Sequence, residues 1–569
     1  MNLLDLIFLV PTVTVGAAAA IHATAYLHGE ARRHWPRFAV FFMATLAAMA
    51  GVVLSSDKLA FLLAWEAMGL ASSGLVAFEN REKSARRATW IYLLACHAGA
   101  CALMLAGVLL GRPDATLAAF FCAVVGFGLK IGFPPFHVWL PEAHPAAPAP
   151  ASAVMSGAMI PLGFYGLIRF LTPWGQSPDL WGQAPAMFAI GGWTLLVLGF
   201  VGALGGILFA LPQTNLKKLL AFSSVENMGV IALGLGLACL ATDPKLGQSV
   251  RGTALAGALA HVLNHAFLKG GLFLGAGSVL RQTGTLDQDQ LGGLMKRLPK
   301  TGTLFVLNAL GLAGLPPLNG FLGELLIYVA AFHAVKSHEP ALMVAGFLVL
   351  AGLSLTGGLA AAAYTKAIGA TFLGEPRSAA AAKAVETPAR MWLAQVVLFL
   401  GSLAMIPGTW YLGTRYGGRA GSEPLFLAAC VGGAFVILTA GLLFLRRFIC
   451  PRGTVKVACP TWDCGYHAPT ARMAYTATAF TQPLVDLFKG VLKPRKHVIP
   501  FKGHPAAPTD AAFVTETDDR GLAGLWRPLF TFFARLFQRA HLLQNGSLHL
   551  YILLIILAVT ALLTAAFVS

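Results

Sequence analysis

Three basic side chains recur at helical spacing in one apolar stretch of the chain. His261, His265 and Lys269 stand four residues apart, which places them on one stripe of a helix. Histidine both accepts and donates protons near neutral pH, so the pattern favours a proton relay. Each residue taken singly also fits a structural role, with the histidines bonded to neighbouring helices and Lys269 extended to an aqueous interface.

Two more charges stand inside apolar stretches. Glu66 lies near the middle of 59–78, and Lys130 lies at the end of 115–133. A buried charge is costly unless an opposite charge offsets its desolvation, so the sequence predicts a Glu66–Lys130 pair. Burial depresses the pKa of a lysine, which lets it load and release a proton. The alternative is a structural ion pair that holds two helices together.

Two further regions carry lysines at the ends of apolar stretches. Lys217 and Lys218 open the stretch 215–240, and the sequence leaves open which of them turns inward. Lys366 is close to a helix end, where extension of the side chain to the membrane interface is the expected explanation and a place in the proton path is the alternative.

Proline pairs interrupt two of the apolar stretches. Pro134-Pro135 follows Lys130, and Pro316-Pro317 precedes Glu324. Both positions predict broken helices, which in membrane transporters lie at ion sites in corresponding places of two repeats. Free amide groups at the start of the second half-helix favour an anion, which suits Glu324.

The composition identifies the elements that must position these residues. Of the 569 residues, 57% are hydrophobic and only 11% are charged, with a mean hydropathy of +0.71. Soluble domains carry about a quarter charged residues, so this class is excluded. Roughly 14 apolar stretches of about 20 residues predict an all-α polytopic membrane protein, because helices satisfy their backbone groups in lipid.

The charge balance predicts the orientation. Lysines and arginines (41) exceed aspartates and glutamates (24), a net charge of +17. By the positive-inside rule the basic clusters mark the cytoplasmic loops, and both chain ends then face outward. The clusters are Arg32, Arg33 and Arg37; Arg81, Lys83, Arg86 and Arg87; Lys296, Arg297 and Lys300; Arg377, Lys383 and Arg390; and Arg446, Arg447, Arg452 and Lys456.

Five motifs occur together in this chain: Trp65-Glu66, Lys130 with Pro134–His144, Gln213–Leu219, Asn264–Gly270 and Gly314–Phe321. Together they resemble a known family, the antiporter-like, proton-pumping subunits of respiratory complex I with their relatives in Mrp antiporters and membrane-bound hydrogenases. The resemblance covers residues 59–373. A second stretch, Cys459–Tyr466 with 475–487, looks like the hydrogenase-4 component B and formate hydrogenlyase large-subunit branch.

The resemblance implies two inverted five-helix repeats, each containing a broken helix, and a polar axis along the membrane plane. By position, Glu66 and Lys130 match the paired carboxylate and pumping lysine. Lys217 and His265 match connecting residues, and Glu324 matches the terminal site. The chain departs from many relatives at Pro161, where they carry a second lysine, and its N-terminus is about two helices shorter before Glu66.

The predicted organisation has six parts. They are N-terminal helices at 1–58, a first repeat at 59–240, a second at 241–373 continuing into 391–412, additional helices within 391–447, a cytoplasmic segment at 448–548 with amphipathic helices at 469–488 and 525–543, and a C-terminal helix at 549–568.

The leading hypothesis is a proton-translocating subunit of a multi-subunit redox complex in the inner membrane of a bacterium or archaeon. The resemblance implies no cofactor or metal in this chain, with nickel–iron and iron–sulfur centres in partner subunits. The partners would be other membrane subunits and a soluble hydrogenase-like or dehydrogenase arm. The alternatives are an Mrp-type cation/proton antiporter module, a component of an inorganic-carbon uptake complex and a non-conducting membrane anchor.

Overall fold

The structure is a computed structural model that forms two compact units, Met1–Thr517 and Asp518–Ser569. It describes residues 2–110, 112, 115–171, 188–243, 246–449, 471, 474–504, 507–517, 519 and 521–540. The motif at Cys459–Tyr466 and the predicted helix at 549–568 therefore lie outside the described residues.

Four long helices open the first unit. The first begins at a reciprocal cap in which the Asn2 side chain accepts from the Asp5 amide and the Asp5 carboxylate accepts from the Asn2 amide. Such a cap satisfies amide groups that have no partner inside the helix. The helices are α1 (Leu3–Tyr26), α2 (Trp35–Leu54), α3 (Lys58–Val76) and α4 (Lys83–Leu109), with a 3₁₀ turn at Gly29–His34 between the first two.

The first predicted break is present. Helix α5 (Thr116–Ile131) ends at Gly132, whose φ of 81° suits glycine, and the chain then runs through the cis bond Pro134-Pro135. A 3₁₀ turn at Phe136–Trp139 leads into short helices. These are α6 (Leu140–Ala146), α7 (Ala149–Val154), a π-helical turn at Met155–Met159, and α8 (Leu162–Leu171).

Three long helices form the centre of this unit. They are α9 (Phe188–Ala210), α10 (Leu216–Leu240) and α11 (Thr253–Thr283), the last preceded by a π-helical turn at Gly247–Gly252. Nearly every residue of α10 and α11 is buried. Lys217, Glu226 and Lys269 on these two helices are therefore enclosed by protein, whereas Lys218 and Arg281, near the helix ends, are partly exposed.

The second predicted break is also present. Helix α12 (Pro299–Leu312) and α13 (Asn319–Val335) are separated by a turn that contains the cis bond Pro316-Pro317. The following helices are α14 (Pro340–Phe372), α15 (Ala379–Lys383), α16 (Ala389–Ala404) and α17 (Ile406–Ile449). Helix α17 is two segments that meet at Gly418, where φ is 56°.

The polar segment after α17 contains an unexpected hairpin. Helices α18 (Ala477–Leu487) and α19 (Lys489–Leu492) precede two antiparallel strands, β1 (Arg495–His504) and β2 (Ala507–Glu516). The register shifts between Ile499 and Lys502, next to Pro500, which has no amide hydrogen to pair. In the second unit the described helix is α20 (Arg527–Ala540).

The prediction of a polytopic α-helical membrane protein is confirmed. Within the described residues, ten helices or helix runs are long and apolar enough to cross a membrane. Helices also occur inside both predicted amphipathic segments, at α18 and α20. The hairpin departs from the all-α prediction, because it lies in polar sequence outside the apolar stretches on which that prediction rests.

Candidate functional site

Lys130 lies in the last turn of α5 and is only 4% exposed. Its Nζ lies 3.4 Å from Cys96 Sγ and 3.5 Å from the Tyr92 hydroxyl oxygen. The ammonium also lies over the rings of Trp65 and Tyr92, at 5.8 and 5.4 Å from their centroids. These partners are neutral, so aromatic faces and polarisable groups stabilise the charge of the lysine.

The expected ion pair between Glu66 and Lys130 is not formed. Glu66 Oε1 instead contacts His97 Nδ1 on α4, and both side chains are partly exposed. The other carboxylate oxygen, Oε2, is buried and has no hydrogen-bond partner among the described residues. The prediction was wrong because a sequence cannot show which neighbouring helix presents the nearest base.

Lys217, and not Lys218, turns inward. Lys217 is 1% exposed, whereas Lys218 is partly exposed at the start of α10. Lys217 Nζ donates a hydrogen bond to the Ala147 carbonyl oxygen at 2.7 Å. The same lysine interacts electrostatically with the buried His144, whose two ring nitrogens have no hydrogen-bond partner among the described residues.

The predicted stripe on α11 is buried along its whole length. His261 Nε2 lies 3.0 Å from Asn227 Oδ1 on α10. Lys269 Nζ donates to the Leu220 carbonyl oxygen at 3.1 Å, to Ser223 Oγ and to the Tyr364 hydroxyl at 3.3 Å. The prediction that these side chains share one face is confirmed.

His265 stands between His261 and Lys269 on this stripe and is fully buried. Neither ring nitrogen of His265 has a hydrogen-bond partner among the described residues. The residue interacts electrostatically with both of its neighbours on the stripe. His265 thus occupies the middle of the stripe on which the sequence predicts a relay, and positive charges on its two neighbours oppose a charge on its own ring.

A carboxylate missed by the sequence analysis completes this cluster. Glu226 on α10 is 3% exposed and accepts a hydrogen bond from Asn227 Nδ2 at 2.5 Å. It interacts electrostatically with Lys269 and with Glu324. Asn227 therefore joins Glu226 to His261. The signal was present in the sequence, because Glu226 is a charge inside an apolar stretch like the others.

Glu324 lies beside the second break. A Cβ atom added to Gly314 would lie 2.6 Å from Glu324 Oε2, and Gly314 has a φ of +67°. Both the backbone conformation and the nearby carboxylate therefore require a glycine at this position. Glu226 lies near enough to Glu324 for the two carboxylates to repel each other when both are charged.

We expected Lys366 to extend to the membrane interface, and the structure shows that it does not. It is 1% exposed and donates hydrogen bonds to the carbonyl oxygens of Leu211 and Gln213, just after the end of α9. The last carbonyl groups of a helix lack partners within the helix, and a lysine can satisfy them. Lys366 is thus a cap on α9, a contact between distant segments that the sequence does not reveal.

Among the described residues, no group of three or more histidine, cysteine, aspartate or glutamate side chains could hold a metal ion. We call these buried lysines, histidines and carboxylates, together with their hydroxyl and amide partners, the row. Side chains of these types can take up and release protons.

Residues 55–354 match the family model described as "NADH:quinone oxidoreductase/Mrp antiporter, TM". This span contains both helix breaks and every buried ionisable residue described above except Lys366. The chain belongs to this antiporter family.

Curated members of the antiporter family match most of the chain. It is 33% identical to hydrogenase-4 component B of Escherichia coli, over 92% of this chain and 82% of the relative. It is 34% identical to formate hydrogenlyase subunit 3 of the same organism, over 80% of this chain and 72% of the relative. A Na⁺/H⁺ antiporter subunit of Alkalihalophilus pseudofirmus is 32% identical over 58% of this chain and 42% of its own length.

Solved structures show the antiporter-family fold. A chain of the membrane-bound sulfane sulfur reductase, an archaeal respiratory membrane complex, has a TM-score of 0.72 at 22% identity, covering 99% of this chain and 89% of that one. A chain of the Mrp complex from Dietzia sp. has a TM-score of 0.60 at 20% identity, covering 75% of this chain and 84% of that one.

Proposed function

We propose that this chain is the proton-translocating membrane subunit of a multi-subunit redox complex of the hydrogenase-4 and formate hydrogenlyase type, related to complex I. The observation that carries the proposal is the set of three buried lysines, Lys130, Lys217 and Lys269, each bonded to neutral groups. Among the described residues, none of the three forms an ion pair with a carboxylate.

A lysine buried in this way can exchange protons. Charged groups inside a membrane are costly, and proteins that keep them generally use them in ion transfer. A structural anchor would need none of the three.

In this proposal the row supplies a path along the membrane plane. It leads from Lys130 by way of Lys217 to His265 and Lys269, and His261 joins it through Asn227. Glu226 and Glu324 form its far end. A change of charge at one position strongly alters the protonation of neighbouring residues, because interactions between charges are larger at low dielectric than in water.

Glu66 and His97 lie at the other end of the row. Both are partly exposed, and a charged pair facing lipid is unfavourable, so a neighbouring membrane subunit is the expected cover. Redox chemistry in the complex would change the charge at this pair and thereby release or retain the proton on Lys130.

The partners and cofactors follow from the type of complex. Other membrane subunits and a soluble hydrogenase-like arm would carry the electron transfer, with nickel–iron and iron–sulfur centres in those partners. The complex would lie in the cytoplasmic membrane of a bacterium or archaeon.

The extent of the matches favours the hydrogenase type over the Mrp type. Hydrogenase-4 component B matches 92% of this chain, whereas the Na⁺/H⁺ antiporter protein of Alkalihalophilus pseudofirmus matches 58%. Either type would use the buried lysines. The difference lies in whether electron transfer in a partner drives the protons.

The test is to purify the complex with its partner subunits, reconstitute it in vesicles and measure proton uptake together with redox turnover. Lys130→Ala and Glu66→Gln should each lower the number of protons moved per electron. Lys218→Ala is the matched control, because this lysine is partly exposed. Unchanged proton uptake in both variants would refute the path, and a complex without redox activity would favour the Mrp type.

A further inference from the structure

An apolar groove of about 440 Å³ lies between the second helix break and the helices α16 and α17. The residues that line it are all aliphatic, aromatic, proline or glycine. Leu322 and Leu425 form buried parts of its walls, whereas Trp410 and Val436 are 37% and 53% exposed. The groove is therefore open to the surroundings of the protein, and in a membrane these surroundings are lipid.

The kink of α17 lies on the side of the membrane opposite to the basic loops. About 30 residues separate Ala389 from Gly418, and at about 1.5 Å per residue they reach across a bilayer of about 40–45 Å. Ala389 follows the basic cluster within 377–390, and the far end of α17 carries Arg446 and Arg447 of the next cluster. The positive-inside rule then places Gly418 at the outer surface.

The groove extends from near this outer surface to the middle of the bilayer. Its residues on the second segment of α17 run from Leu425 to Val436, a rise of about 16 Å, or about half of a hydrocarbon core of about 30 Å. The mean cross-section is then about 27 Å², whereas a helix of about 10 Å diameter needs roughly 80 Å². The groove is therefore too narrow for a helix of another subunit and suits one hydrocarbon chain.

Aromatic side chains mark the level of the outer interface. Trp410 lines the groove, and Tyr411 beside it is 53% exposed. Tryptophan and tyrosine concentrate at membrane–water interfaces, because their rings are apolar and carry one polar group. The outer end of the groove thus lies next to the lipid headgroups.

The kink carries charges that match a phosphate group. Arg415 and Arg419 are exposed before and after Gly418, and Glu423 is exposed one turn further along. These three side chains leave one net positive charge, which is complementary to the single negative charge of a phosphodiester. Arginine is well suited to this contact, because its guanidinium group can donate two parallel hydrogen bonds to phosphate oxygens.

The second helix break forms one wall of the groove. Pro316 and Pro317 line it, and a Cβ atom added to Gly432 would lie 2.9 Å from Pro317 Cβ. Helix α17 therefore packs directly on the turn. The Leu318 amide donates a hydrogen bond to the Leu315 carbonyl oxygen within this turn, so an apolar group can cover it without leaving that donor unpaired.

We propose that the groove is a phospholipid-binding site in the outer leaflet. One acyl chain fills the groove and packs on the turn that leads into α13, and the phosphate group binds Arg415 and Arg419. The lipid thereby covers the helix break beside which Glu324 lies. The site goes beyond the proposed function, since lipid binding does not depend on which ion the chain moves.

The test places the purified complex in vesicles that contain a phosphatidylglycerol with a diazirine in the middle of one acyl chain. Light converts the diazirine into a carbene that bonds to the nearest residue, and mass spectrometry of peptides locates the label. Labelling should concentrate on the groove residues Phe321 and Leu403, and not on Leu442 and Phe444, which are exposed on α17 outside the groove. Equal labelling of both pairs would show bulk lipid only. An unlabelled groove would show that protein covers it, and either result would overturn the site.

Gly433→Trp fills the groove and should lower the labelling of Phe321 and Leu403 several-fold. Gly441→Trp is the matched control, because both glycines are exposed on α17 and a Cβ atom at either would meet no atom within 4 Å. Gly433 lines the groove, whereas Gly441 lies about two turns beyond it. Unchanged labelling in Gly433→Trp would refute the binding of an acyl chain.

A second variant tests the headgroup and serves if Gly433→Trp does not assemble. In Arg419→Gln the mole fraction of labelled lipid that gives half-maximal labelling should rise about fivefold, the usual effect of one basic residue near a membrane surface. Arg447→Gln, at an exposed position near the opposite end of α17, should leave it unchanged. A shift in Arg447→Gln alone would place the lipid in the other leaflet and overturn the proposal.

A diacylglycerol with the same diazirine chain tests the phosphate directly. It should label the groove more weakly than the phosphatidylglycerol, and Arg419→Gln should not change its labelling. Equal labelling by the two lipids would show that the phosphate group is not recognised, which would overturn the proposed headgroup contact. The labelling is measured without redox turnover, so failure of this site and failure of proton translocation are separate results.

Discussion

Glu66 on α3 is paired with His97 on α4, while Lys130 lies against Tyr92 and Cys96 on the same α4 helix. The helix α4 therefore carries both the partner of the carboxylate and the groups that hold the lysine. Histidine both accepts and donates protons, so the partner that Glu66 has on α4 differs in kind from the lysine that the sequence predicts.

His97→Gln should separate a proton-transfer role from a structural one. Glutamine can still donate a hydrogen bond to Glu66 but cannot carry a proton. Proton uptake per electron should therefore fall about tenfold in His97→Gln. The decrease should equal that in His97→Leu, which can neither carry a proton nor donate a hydrogen bond. Vesicle assays with the purified complex provide the measurement. His338→Gln, at an exposed loop position, is the control, and retention of pumping in His97→Gln would show that His97 only positions Glu66.

Tyr364→Phe removes the hydroxyl that lies 3.3 Å from Lys269 Nζ. We expect proton uptake to slow several-fold, because the lysine loses one of the groups that stabilise its charged form. Stability should change by only about 1 kcal/mol, the usual value for one hydrogen bond. Uptake assays and thermal unfolding of the purified complex test the two effects. Tyr411→Phe, at an exposed position, should change neither quantity.

Gly229→Ala should destabilise the contact between α9 and α10. A Cβ atom at this position would lie 2.1 Å from the Ala203 amide nitrogen, so the two backbones would have to separate. Overpacking of this kind costs about 1–3 kcal/mol, which should lower the thermal unfolding temperature or the yield of assembled complex.

Gly205→Ala is the matched control for Gly229→Ala, because a Cβ atom there would meet no atom within 4 Å. It should unfold at the wild-type temperature or slightly above it, since alanine favours the helix. Equal stability of the two variants would contradict the close approach of α9 and α10.

The ion pair of Asp486 should make the stability of the segment after α17 depend on pH. Lys496 Nζ on β1 lies 3.0 Å from Asp486 Oδ1 on α18, and its hydrogen bond, with that of Gln482, lowers the pKa of the carboxyl. A lowered pKa stabilises the folded segment at pH values above the ordinary aspartate pKa of about 3.9. That contribution is lost as the pH falls through the folded pKa.

The contribution should be small, since the side chains of Asp486 and Lys496 are both accessible to solvent. Asp486→Asn should give the hairpin faster hydrogen exchange than the wild type at neutral pH, and the difference should vanish in acid. An equal difference at both pH values would show that the ion pair is not responsible. Glu423→Gln, which does not belong to this segment, serves as the control.

The sequence determined the class of protein and most of the residues that line its polar row. The apolar content shows that the helices lie in lipid. In lipid every backbone polar group must be hydrogen-bonded within the protein, which a helix achieves by itself. The proline pairs predicted both breaks, since proline lacks an amide hydrogen and cannot continue a helix. The spacing of His261, His265 and Lys269 placed them on one face, which is a local property of the helix.

Only the tertiary structure decided which of these residues meet. The rotation of each helix about its axis and the packing of helices against one another determine those contacts. The spacing of residues along the sequence predicts neither. They pair Glu66 with His97, place Lys366 under the end of α9, and bring Glu226 and His144 into the row. They also enclose a cavity of about 400 Å³ that Lys217 lines. A charge inside an apolar stretch is visible in the sequence, whereas its partner is supplied by another helix and appears only when the helices are packed together.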